Sequence, residues 1–171
     1  VPVALDLPRW LRPIAVLFKG LGILPGYREA DVSAVFLVFF SLFFAMLIGD
    51  AGYGLLMLAA VLWARRRRPR APAQPFWLFG VFAVATIAWG ALTGSYFAID
   101  RALLPGPLRG LAWLRLDDHG MWLCFLIGGV HLTIAHLWNA AVLLPSRKAL
   151  AQVGWIGVVW LMFSIAGNLV V

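Results

Sequence analysis

From Ser33 to Ala64 the chain is apolar almost throughout, a run of thirty-two residues broken only at Gly49-Asp50-Ala51-Gly52-Tyr53-Gly54. At about 1.5 Å per residue, one straight helix of that length would reach roughly 48 Å, well past the ~30 Å hydrocarbon layer of a bilayer. Two shorter helices hinged at the glycines fit instead. The flanks decide how they run: Arg9, Arg12, Lys19 and Arg28 precede the stretch, and Arg65 to Arg68 with Arg70 follow it. Basic flanks stay on the cytoplasmic side, so the chain crosses an even number of times between them. The sequence therefore predicts a short membrane hairpin with arms at about 33–48 and 51–64.

With 63% hydrophobic and 12% charged residues and a mean hydropathy of +0.92, the whole chain reads as an all-α integral membrane protein. Its formal charge of +7 gathers beside apolar segments rather than along a polar face. That points to membrane lipids as partners and argues against nucleic acid. Cys124 is the single cysteine, which excludes an intrachain disulfide. No cofactor is expected, because the glycines of the Asp50 turn lack the lysine of a nucleotide loop. No metal is expected either: His131 and His136 stand roughly 140° apart on a helix, and no zinc-type cluster accompanies them. No nucleophile–base arrangement lies on a soluble segment, so the chain is not expected to be an enzyme by itself. It starts at Val1 and ends within an apolar segment, and is read as part of a longer polypeptide.

Residues 1–31 form an interfacial lead-in, with a short surface helix expected over Pro13 to Leu24, anchored by Trp10 and broken at Pro25-Gly26-Tyr27. Asp31, or alternatively Ser33, is placed to cap the first span. Residues 32–171 form the transmembrane domain, with later spans at about 76–99, 120–144 and 149–171. Eleven of the basic residues fall in the segments assigned to the cytoplasm, against Arg101, Arg109 and Arg115 in the opposite loop. This bias predicts five crossings with a cytoplasmic N-terminus.

Asp50 is the one acid inside the apolar region. It either caps the second helix, where Gly49, Gly52 and Gly54 permit a sharp turn, or serves a proton relay or ion path. His131, Ala135 and Asn139 share one face of the fourth span and form a polar stripe expected to face the bundle. Such a stripe makes interhelical hydrogen bonds or lines a water path. Gly90-Ala91-Leu92-Thr93-Gly94 fits the small-xxx-small pattern of close helix packing. The tetrad Arg65, Arg66, Arg67 and Arg68 reads as a topology signal with lipid contact second.

The order of motifs adds a resemblance. Val3 to Trp10, then Gly26-Tyr27-Arg28-Glu29-Ala30-Asp31, then Phe39 through Gly54 with its Gly-Asp-x-Gly-Tyr-Gly turn, resemble the start of the membrane domain in subunit I of V/A-type rotary ATPases. That subunit is the counterpart of the large subunit a of the vacuolar proton pump. Trp89-Gly90 to Phe97 and Ile127-Gly128 to Thr133 resemble its third and fourth spans. The resemblance implies a stator role beside a ring of proteolipid subunits, with central-stalk and peripheral-stalk subunits as further partners, in a bacterial inner membrane. The family's rotor-facing arginine maps to no position here, since every arginine of this chain lies in a flank or loop. The spans present are thus implied to be scaffold for translocation of protons or sodium ions. Two other readings stand beside it: an anchoring or assembly protein of the same ancestry, and a small secondary transporter using Asp50, His131 and Asn139.

Overall fold

The computed structural model describes residues 8, 10–22, 31–115 and 117–170. Residues 3–7 and 9 of the first motif, the break at Pro25-Gly26-Tyr27 and most of the Gly26–Asp31 motif lie outside them. The described chain is helical: α1 (Ile14–Leu21), α2 (Ser33–Ile48), α3 (Ala51–Arg67), α4 (Ala73–Thr93), α5 (Asp117–Leu143) and α6 (Lys148–Val170). Three short 3-10 turns join α4 to α5. The protein is an all-α membrane protein, divided into two compact units at residues 1–111 and 112–171.

In the first unit, α2 and α3 are only 16 and 17 residues long, about 24 and 26 Å at 1.5 Å per residue. They are bent through 119° across Gly49 and Asp50 and reach spanning length only as a pair. Helices α4, α5 and α6 are each long and apolar enough to cross alone. Length and composition support three spans, or four if the bent pair is one, and do not confirm the five read from the sequence. Each arm of the bent pair, at 16 and 17 residues, is a few residues short of the ~20 that a full crossing takes.

Gly49 ends α2 in the left-handed region at φ 68°, with its N–H returned to the Ala45 carbonyl. The last turn of α3 carries Arg65, Arg66 and Arg67, and cations suit the negative end of a helix. The helix accordingly runs past the apolar stretch that ends at Ala64. Helix α4 stops at Thr93, short of the Ile99 expected for that span. There Gly94 at φ 71° closes a Schellman turn, with Ser95 N–H bonded to Gly90 O and Gly94 N–H to Ala91 O.

Helix α4 packs on both α2 and α3. Between α1, α2 and α4 lies a core of Leu11, Ile14, Phe18, Leu37, Leu78 and Phe82. A chain of rings threads it: Phe18 meets Phe36 edge-on at 5.2 Å, while Phe40 and Phe44 lie 5.5 and 4.8 Å from Phe82. Such contacts add about 0.5–1.5 kcal/mol per pair beyond area burial. The abundance of Phe in α2 is thereby used to seat α4.

In the second unit, α5 and α6 form an antiparallel hairpin whose turn includes Pro145 and Ser146. Thr133 Oγ accepts from Trp160 Nε1 at 3.0 Å, and His136 Nδ1 lies 2.7 Å from Gln152 Oε1. Trp122 meets Phe163 edge-on at 5.6 Å.

Candidate functional site: the buried Asp50 corner

Asp50 sits between α2 and α3 in extended conformation and is the N-cap of α3. Its Oδ1 accepts from the Gly52 N–H at 2.8 Å and the Tyr53 N–H at 3.1 Å, satisfying two of the donors a helix start leaves open. Its Oδ2 reaches outside the hinge. It accepts from Ser95 Oγ at 3.0 Å and from the Ala98 N–H at 3.4 Å. Asp50 is 6% exposed, and both of its carboxylate oxygens are engaged. Burial of a carboxylate is tolerable only when it is bonded in this way.

The strand of chain beyond α4 is shaped around this acid. Phe97 and Ala98 both hold positive φ, 52° and 55°, a conformation that non-glycine residues adopt only where their surroundings fix it. Successive left-handed residues turn backbone N–H groups toward one concavity, which suits an anion. Here the anion is the side chain of Asp50. The Ser95 carbonyl also accepts from the Ala51 N–H at 2.9 Å, so α3 gains a second cap from α4.

Glycines make the approach possible. A Cβ on Gly90 would overlap the Ala51 amide, and one on Gly54 would lie 2.8 Å from the Ile87 nitrogen. A Cβ on Gly52 would strike the Phe97 ring at 2.5 Å, and that ring meets Tyr53 edge-on at 5.4 Å. Gly94 and Gly110 touch backbone to backbone, with Leu111 N–H bonded to Leu92 O at 2.8 Å. Arg109 holds the intervening loop by donating to the carbonyls of Leu104 and Ala102. Asp50, Gly52, Gly54, Gly90 and Ser95 thus converge on one corner.

The remaining candidates lie elsewhere. His131 and Asn139 belong to the second unit, and the structure does not bring Asp50 and this pair into one compact unit. Along the expected stripe His131 is half-buried, whereas Ala135 and Asn139 are exposed on the hairpin. Thr133 and His136, on neighbouring faces, make polar links across α5 and α6. Asp31 accepts from the Ser33 N–H at 2.9 Å just ahead of α2, while the cap position itself is Val32. Arg65 donates through Nη1 to the carbonyls of Pro69 and Ala71, closing the turn into α4, whereas Arg66, Arg67 and Arg68 are exposed. Among the described residues no group of three His, Cys, Asp or Glu could hold a metal ion.

Ser95 and Ala98 carry no sequence signal for this role, being 45 and 48 residues from Asp50. The doubled glycine spacing at Gly90 and Gly94 is the one trace of the corner visible in the α4 sequence.

Neither a protein-family model nor a solved structure matches the chain. Among characterised sequences, it is 32% identical over its whole length to "V-type ATP synthase subunit I 1" of Treponema pallidum, covering 29% of that protein. It is 29% identical to "V-type ATP synthase subunit I" of Borreliella burgdorferi, over 91% of this chain and 28% of the relative. Over 56% of its length it is 35% identical to "A-type ATP synthase subunit I" of Archaeoglobus fulgidus, covering 14% of it. The chain thus spans less than a third of the length of these relatives. Similarity along its full length makes the chain a member of the subunit I family of V-type and A-type ATP synthases.

Proposed function

We propose that this chain is scaffold within the membrane stator subunit of a V/A-type rotary ATPase, corresponding to the N-terminal part of that subunit's membrane domain. In this reading α2, α3 and α4 form a stiff block beside the helices that carry protons or sodium ions past the proteolipid ring. The block joins those helices to the stalk subunits, does no catalysis of its own, and lies in a bacterial inner membrane with its N-terminus cytoplasmic. Membership in the family supplies the setting.

One observation carries the scaffold assignment: both oxygens of Asp50 are committed to donors from α3 and from the segment after α4. An acid that relays protons needs a face open to water and freedom to change charge. Asp50 has donors on both sides, and losing its charge would weaken all of them. The same saturation weighs against a substrate site built on Asp50. The test is Asp50→Leu in the complete ATPase. The scaffold reading expects less assembled complex, while each complex that does form pumps at the unmodified rate. Normal assembly with a selective transport defect would overturn it.

A further inference from the structure

A groove of about 630 Å³ runs along one side of α3 and α4, at the end of the first unit that carries the arginine turn. Its walls are apolar: Leu58 and Leu62 from α3, Trp77, Gly80 and Val84 from α4. Its mouth is cationic. Arg12, just ahead of α1, and Arg65, in the last turns of α3, both line it there. The two helices run antiparallel from the arginine turn, so Leu58 and Val84 mark the deep end, roughly 10–16 Å in at 1.5 Å per residue.

Arg65 is fixed rather than loose. Its Nη1 donates to the carbonyls of Pro69 and Ala71 at 3.2 and 3.1 Å, and its guanidinium lies 5.6 Å from the Phe76 ring centre. Those bonds all use one nitrogen, while Nε and Nη2 donate to nothing among the described residues. A guanidinium offers five N–H groups in a planar fork suited to phosphate. Gly80 leaves the middle of the groove open, since nothing lies within 4 Å of where its Cβ would be. A long apolar slot leading from a pair of guanidinium groups matches one ligand: an acyl chain attached to an anionic headgroup.

We infer that the α3–α4 groove is a binding site for an anionic phospholipid, its phosphate held by Arg12 and Arg65 and one acyl chain lying over Gly80. This stands apart from the scaffold assignment and needs no ion path.

Native mass spectrometry of the full chain in neutral detergent, titrated with phosphatidylglycerol or phosphatidylcholine of matched chains, tests it. Phosphatidylglycerol should bind with about a tenfold preference, set by the two guanidinium groups. The double variant Arg12→Gln/Arg65→Gln should lose that preference, whereas Arg66→Gln/Arg67→Gln should keep it. Gly80→Leu fills the groove from within and should abolish the adduct while leaving the thermal unfolding midpoint unchanged or raised. Equal binding of the two lipids would overturn the site, as would an adduct that survives Gly80→Leu. A fall in midpoint for Gly80→Leu, or a dimer in place of the adduct, would mean that protein fills the groove and would overturn it too.

Discussion

Ser95 holds Asp50 by its side chain and the neighbouring Ala51 by its backbone: Oγ donates to Asp50 Oδ2 at 3.0 Å, and the Ser95 carbonyl accepts from the Ala51 N–H at 2.9 Å. One residue at the end of α4 therefore fixes both the charge and the first amide of α3. The hinge between α2 and α3 is not a free joint. Its 119° bend is set by a third helix whose own end, at Gly94 and Ser95, is shaped to receive it.

Replacing Asp50 tests how much that clamp contributes. Asp50→Leu removes a helix cap worth about 1 kcal/mol and strands buried donors at about 1–3 kcal/mol each. The loss should reach about 3 kcal/mol or more in detergent unfolding. Asp50→Asn keeps the oxygen facing Gly52 and Tyr53, but turns an amide N–H₂ toward the Ala98 N–H. It should cost about 1–2 kcal/mol. Equal unfolding midpoints for the two variants would show that the oxygen facing Gly52 and Tyr53 contributes nothing, and an Asp50→Asn midpoint equal to that of the unmodified chain would show the same of Oδ2.

Glycine-to-alanine exchanges along α4 should split by position. At Gly90 the new methyl would overlap the Ala51 amide and come within 2.6 Å of the Asp50 carbonyl carbon, both rigid backbone. Overpacking of this kind costs about 1–3 kcal/mol, and Gly90→Ala should pry α3 from α4. At Gly80 the methyl meets open space. Gly80→Ala should then stabilise by about 0.5–1 kcal/mol, the usual gain of replacing a mid-helix glycine. Unfolding midpoints that shift in opposite directions would bear this out.

The local half of this corner is written in the sequence, and the long-range half is not. An apolar run ending at Gly49-Asp50 specifies a helix stop and a helix start, because the left-handed stop and the capping carboxylate are set within four residues. Where Asp50's second oxygen goes depends on which segment α4 returns, and periodicity along α4 is silent about that. The end of α4 shows the limit most plainly. Residues 94–99 are apolar enough to extend a span, yet Gly94 ends the helix and Phe97 and Ala98 take left-handed conformations that no propensity favours. For the same reason a hydrophobic count finds two arms around Asp50 but cannot tell a full hairpin from a bent pair.

Gly49 should tolerate little. At φ 68° and ψ 6° it terminates α2 where a side chain is strained whatever space surrounds it. Gly49→Asn should cost least, since asparagine visits this region readily. Gly49→Val should cost about 2 kcal/mol or more, because a β-branched residue does not. Helix content by circular dichroism should barely change in either variant, while protease access at the hinge rises in proportion to the lost stability. Indifference to valine would mean that the backbone at residue 49 can relax, and that the bend owes nothing to its left-handed turn.

The α5–α6 hairpin offers a separate measure of polar packing in the apolar region. Trp160 Nε1 donates to Thr133 Oγ at 3.0 Å, and Thr133 in turn donates to the Gly129 carbonyl at 2.7 Å. Thr133→Val preserves shape and removes both, and Trp160→Phe removes the donor along with part of the ring. A double-mutant cycle isolates the interhelical bond from these other losses. Hydrogen bonds between membrane helices average about 0.6 kcal/mol and reach at most about 1.7 kcal/mol. The coupling between Thr133 and Trp160 should fall in that range, at the upper end because the hydroxyl is already polarised by its own acceptor. Additive single effects would mean that the ring edge of Phe163, 5.4 Å from Trp160, seats the indole without help from the threonine.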